Sequence, residues 1–146
     1  SGAFKEIIQG IHAEGGLAAT HCCGNADWDD LLDPDLDLDV INFDATDDII
    51  TDKFLNARNL PQYLKNGKCI AWGVVPTLKD KIEKASAGDV EANFRAVVKR
   101  LSERGINERD IIAQSIVTPS CGTGTLTVQL AEKVMELLGG LSRAIR

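Results

Sequence analysis

Three residues carry the chemistry most open to test in this chain: His21, Cys23 and Cys121. His21 and Cys23 stand two apart in what reads as the end of a strand, where alternate side chains leave on the same face. Cys22, between them, points to the other face and reads as a small buried apolar residue. Cys121 follows Pro119 and precedes Gly122 and a predicted helix. A thiol at a helix N-terminus ionises more readily, because the helix dipole favours the thiolate. One imidazole and two thiolates form a donor set that zinc favours, with a fourth position left for substrate or a carboxylate. Asp44, at the end of the next strand, is a candidate for that fourth place or a hydrogen-bond partner for His21. It serves equally as an Asx turn or helix cap. The competing explanation for His21, Cys23 and Cys121 is that they are three unrelated core or loop residues.

Other candidates are weaker. Asp33, Asp35, Asp37 and Asp39 suggest a calcium loop, but Leu38 stands where the loop needs glycine, and Asp44 is too short for its closing glutamate. A solvated acidic loop accounts for them. Gly122-Thr123-Gly124-Thr125 could cradle an anion at the start of the last helix, although its spacing is not that of a P-loop and no lysine follows. His12 falls in the first helix, away from these residues, as a surface or half-buried side chain.

The elements that must position these residues alternate in type. Phe4, Ile7, Ile8 and Ile11 recur at helical spacing until Gly15-Gly16. A strand is predicted over 17–22, an acidic turn-rich stretch with one helical turn around 28–32, and a second strand over 40–43. Helix 54–64 stops at Asn66-Gly67, strand 69–75 closes at Pro76, and an amphipathic helix over 90–103 ends at Gly105. A fourth strand over 111–117 and a last helix over 126–141 complete the order. Strands alternating with helices imply a parallel sheet with right-handed crossovers. In such folds chemistry gathers where strands end and loops begin, which is where His21, Cys23, Asp44 and Cys121 all fall.

Composition bounds the alternatives. At 146 residues, with 44% hydrophobic and 26% charged residues, the chain suits one folded domain, 1–146. A net charge of −6 argues against nucleic acid as a partner. No apolar run reaches the roughly 18 residues of a membrane span, and no secretory signal is visible, so a cytoplasmic location is expected. There, four cysteines point to metal or thiol chemistry before disulfides. The chain opens on Ser1 and enters a helical pattern almost at once, as an excised segment would.

Four ordered motifs carry a family resemblance: Thr20-His21-Cys22-Cys23-Gly24-Asn25-Ala26-Asp27-Trp28, Asp39-Val40-Ile41-Asn42-Phe43-Asp44-Ala45, Ala71-Trp72-Gly73-Val74-Val75-Pro76-Thr77 and Thr118-Pro119-Ser120-Cys121-Gly122-Thr123-Gly124. They resemble the closing motifs of the superfamily that joins cobalamin-independent methionine synthase and uroporphyrinogen decarboxylase. The resemblance implies the C-terminal half, about four βα units, of a TIM (β/α)8 barrel, since a whole barrel needs at least ~200 residues. It implies zinc held by His21, Cys23 and Cys121, with Asp44 at the position of a family glutamate one methylene longer. It further implies a methyltransferase in the intact parent, acting on a small-molecule thiol such as homocysteine with a folate or corrinoid methyl donor. The isolated piece is then expected to be inactive. Half a barrel also leaves sheet edges and an inner face open, so a homo-oligomer or a missing N-terminal half is expected to cover them. The alternatives are a metal-free decarboxylase-like enzyme, as in the other branch, and an inactive oligomerising module.

Overall fold

A computed structural model of the chain describes residues 2–145. Its elements run α1 (Gly2–Ala13), β1 (Ala19–Cys22), α2 (Trp28–Leu31), β2 (Val40–Asp44), α3 (Asp48–Leu55), α4 (Leu60–Lys65), β3 (Cys69–Val75), α5 (Lys79–Lys84), α6 (Ala87–Glu103), α7 (Glu108–Ala113), β4 (Ser115–Pro119) and α8 (Val128–Ala144). Four parallel strands form one sheet in the order β1-β2-β3-β4. The fold is α/β, as the alternation of patterns predicts.

The boundaries depart from expectation where local signals conflict. The single helix predicted over 54–64 is two, α3 and α4. Pro61 cannot donate to the helix and its ring would strike the carbonyl of residue 57. The carboxylate of Asp29 also takes the Asn59 N–H at 3.0 Å, so α4 starts afresh there. The apolar run from Ile111, read as strand, begins instead in α7. Asn107 caps that helix by accepting from the Arg109 N–H at 2.9 Å, and Ile111 is buried from its helical face. Short apolar runs fit either structure, and here the cap decides.

With right-handed crossovers, a sheet whose strand order follows the chain carries its helices on one face. Side-chain alternation agrees. Ile41, Phe43, Ile70, Trp72 and Val74 join one core cluster with Ile8 of α1, Phe54 of α3, Phe94 and Leu101 of α6, and Val134 and Leu141 of α8. At its centre Trp28, Phe43, Phe54 and Trp72 meet with ring centroids 4.3–5.8 Å apart. Trp72 Nε1 donates to Ser115 Oγ at 2.9 Å, so this indole enters the core with its polar atom satisfied. On the opposite face Ala19, His21 and Ile116 are exposed.

A polar clasp fixes α1 to the N-terminal edge of the sheet. Asp39 accepts from His12 Nε2, the Ala18 N–H and Lys68 Nζ, each at 2.8 Å, and Lys68 also reaches Asp37 at 2.6 Å. Burial alone would raise the Asp39 carboxyl; the hydrogen bonds from Lys68, His12 and Ala18 outweigh it and hold the group down to about 2. Asp37 and Asp39 are thus structural, and the expectation of a merely solvated acidic loop does not extend to them. Among the described residues no helix is long and apolar enough to cross a membrane.

Candidate functional site

The C-terminal edge of the sheet holds the residues singled out in the sequence. His21 sits on β1 in register with Asn42 of β2 and Ala71 of β3. Its Nδ1 lies 2.5 Å from Asn42 Oδ1. The Asn42 amide nitrogen donates to the Ala71 carbonyl at 2.7 Å and to Thr118 Oγ1 on β4 at 2.9 Å. One side chain therefore ties His21 to the three strands beside it, across the open face of the sheet. Ala71, whose side chain is a single methyl, leaves room for that span. Asn42 was not among the residues chosen from the sequence. An amide inside a strand otherwise rich in apolar residues was the available signal.

Of the adjacent cysteines, Cys22 takes the placement that strand alternation predicts. Cys22 packs against the core on the helix-bearing face, and its Sγ lies 3.4 Å from the Gly24 carbonyl oxygen. Cys23 is exposed and stands one residue beyond the end of β1. Strand alternation no longer governs its direction there; the loop does. Cys121 is also exposed, just after β4, but the helix expected directly behind it begins only at Val128, with Thr127 as its cap. The macrodipole acts over the first turn, so it does not reach Cys121, and Gly122-Thr123-Gly124-Thr125 is loop rather than a helix-borne anion cradle.

Asp44 closes β2. Its Oδ1 accepts from the Thr46 N–H at 2.8 Å and from Thr46 Oγ1 at 2.6 Å, which makes it an Asx turn. Those bonds occupy one oxygen and leave the other. Beside it, Gly73 lets two chain segments close up. A Cβ at this position would collide with the Phe43 carbonyl and lie 2.9 Å from Ser120 Cα. The β3–β4 register shifts between Gly73 and Val75, Ser120 donates its N–H to the Val75 carbonyl at 2.8 Å, and its hydroxyl lies 3.0 Å from Thr77 Oγ1. The segment leading to Cys121 is thereby drawn over the end of β3.

An imidazole with Nε2 clear of its hydrogen bond, two unpaired thiols and a carboxylate suit zinc. Their placement is open: among the described residues, no three His, Cys, Asp or Glu side chains are grouped to hold a metal ion. β2 and β3 stand between β1 and β4 in the strand order, and the Asn42 amide reaches across them to both His21 and Thr118. His21 and Asp44 occupy adjacent strands, and Cys121 follows β4.

No family model, curated protein or solved structure matches the chain.

Proposed function

We propose that this chain is the metal-holding half of a zinc-dependent methyltransferase built on a (β/α)8 barrel, with His21, Cys23 and Cys121 as ligands and Asp44 as a fourth ligand or a neighbour of the site. The observation that carries this is the common origin of all four residues at the C-terminal edge of a parallel sheet in sequential strand order, with Cys22 turned into the core. Sheet curvature is what would bring Cys121 toward His21. Strands tilted and closed into a barrel converge their ends on one axis.

When bound, zinc supplies Lewis acidity that lowers a thiol pKa, so that a substrate sulfur is ionised near neutral pH. His21, Cys23 and Cys121 would hold the ion and take no part as acids or bases. Asn42 would orient His21, and Gly73 would admit the Cys121 segment. The substrate sulfur is the nucleophile: its bond to the methyl carbon forms as the donor's bond to that carbon breaks, the electron pair leaving with a folate or corrinoid donor. Groups that select the thiol and the donor would come from a second body covering the open face. That body is either further βα units of the same polypeptide or another copy of this chain.

Metal analysis of reduced, chelator-free protein tests the assignment. About one zinc per site-bearing unit is expected, counted on the complete assembly if the isolated chain is monomeric. Near-zero zinc in a zinc-replete, reduced assembly would sink it.

A further inference from the structure

Asn42 occupies a position that determines what His21 can offer. The Ala71 carbonyl can only accept a hydrogen bond, so the Asn42 atom 2.7 Å from it is the amide nitrogen. Turning the amide over would set two acceptor oxygens against each other at that distance. The nitrogen also has Thr118 Oγ1 at 2.9 Å, so both of its hydrogens are used. Asn42 Oδ1 is therefore the atom facing His21, and it too can only accept. At 2.5 Å the ring must donate from Nδ1. In neutral imidazole this assigns the proton to Nδ1 and the lone pair to Nε2.

We propose that Asn42 is the positioning residue of this site, holding neutral His21 as the Nδ1–H tautomer so that Nε2 presents its lone pair at the sheet's C-terminal edge. Backbone and strand-borne groups hold this amide in place. The Ala71 carbonyl belongs to the β3 backbone, Thr118 sits on β4, and both hold the amide that orients the ring. A carboxylate or backbone carbonyl commonly orients a metal-bound histidine from outside the ligand set. Here a neutral amide does so, held from two further strands, which adds no negative charge beside two thiols. The role of Nε2 as a ligand rests on the zinc assignment above; the tautomer does not.

Long-range proton–nitrogen NMR on the metal-free, reduced chain at about pH 9, where an ordinary histidine is neutral, reads the tautomer directly. The expected His21 pattern is a protonated Nδ1 and an unprotonated Nε2. Asn42→Ala should release the ring into a mixture of tautomers. Thr118→Val, which removes one brace but leaves the Ala71 carbonyl to orient the amide, should keep the wild-type pattern. A role for Asn42 in sheet structure alone would leave the ring nitrogens unchanged in Asn42→Ala. That result, or a wild-type ring protonated on Nε2, overturns the proposal, and the wild-type spectrum suffices even if Asn42→Ala fails to fold. Zinc titration of the same samples separates the two assignments. Binding weakened on the order of 10–100-fold in Asn42→Ala supports both. An Nδ1–H tautomer in a protein that binds no zinc in any assembly leaves the tautomer standing and removes the methyltransferase assignment.

Discussion

A methyl group at residue 73 would meet the Phe43 carbonyl on one side and Ser120 on the other. Both obstacles are backbone, so neither can swing aside as a long side chain could. Gly73→Ala is expected to cost about 1–3 kcal/mol, the range for overpacking a filled interior, and to loosen the segment carrying Cys121. A lowered urea midpoint at unchanged slope is the readout. The cysteines give a second residue-scale prediction. Cys121→Ser should lower zinc retention at least tenfold in the zinc-loaded protein, because a soft ligand is exchanged for a poor one. Cys22→Ser should leave zinc retention unchanged and lower stability modestly, since Cys22 packs on the core. Equal zinc loss in both variants would place the site elsewhere. The inward turn of Cys22 was legible from strand alternation. Asn42 was not, because an asparagine in a strand says nothing of what lies opposite until strand order and register are known.

At the scale of elements, caps and clasps set where each segment starts. Asp47 accepts from the Ile49 and Ile50 N–H groups, both at 2.9 Å, and fixes the start of α3, which carries Phe54 into the aromatic cluster. Asp47→Ala should cost about 0.5–2 kcal/mol, measurable by thermal or denaturant unfolding. The clasp on α1 responds to acid. The folded Asp39 carboxyl, held down to about 2, lies below its ordinary value of 3.8. Its stabilising effect is therefore complete above about pH 4 and is lost as pH falls toward 2. Asp39→Asn is expected to lower stability at neutral pH and to flatten the acid limb between pH 4 and 2; a limb as steep as the wild type's would assign acid sensitivity to other carboxylates. The sequence marked α6 and α8 well because their apolar residues recur at helical spacing over several turns. It misjudged the break at residues 56–59 and the start of β4. Each depends on an asparagine whose partner or capping geometry overrides a short apolar pattern.

The whole molecule presents exposed apolar residues on and just after α1, on edge strand β4 and on α8. Ile7, Ile11 and Leu17 lie on or just after α1, which precedes edge strand β1. Ile116 is on the other edge strand, β4, and Val128 and Met135 are on the helix that follows it. Both edge strands also carry backbone groups available for pairing. A four-stranded piece with every strand parallel can extend only at these two edges. Two such pieces, joined edge to edge about a two-fold axis, would close eight strands into a barrel. Association in solution is accordingly expected at micromolar concentration, and Ile116→Lys should shift it toward monomer while preserving the circular dichroism of the fold. Sedimentation velocity distinguishes the species. A wild-type chain that stays monomeric would instead favour further units of the same polypeptide as the covering body.

Residue order by itself determined the alternation of strands and helices, the parallel α/β class, the placement of His21, Asp44 and Cys121 at strand ends, and the inward turn of Cys22. These follow from periodicity, glycine and proline punctuation, and the two-residue repeat of a strand, all of which act between near neighbours. Tertiary structure decided the rest, because it depends on partners distant in sequence. It set Asn42 between His21 and Thr118, moved the last helix away from Cys121, and turned Asp37 and Asp39 from a solvated run into a clasp. It also made β1 and β4 the two edge strands of the sheet. Distances between donors on separate strands are set by sheet curvature, and no spacing along the chain encodes that.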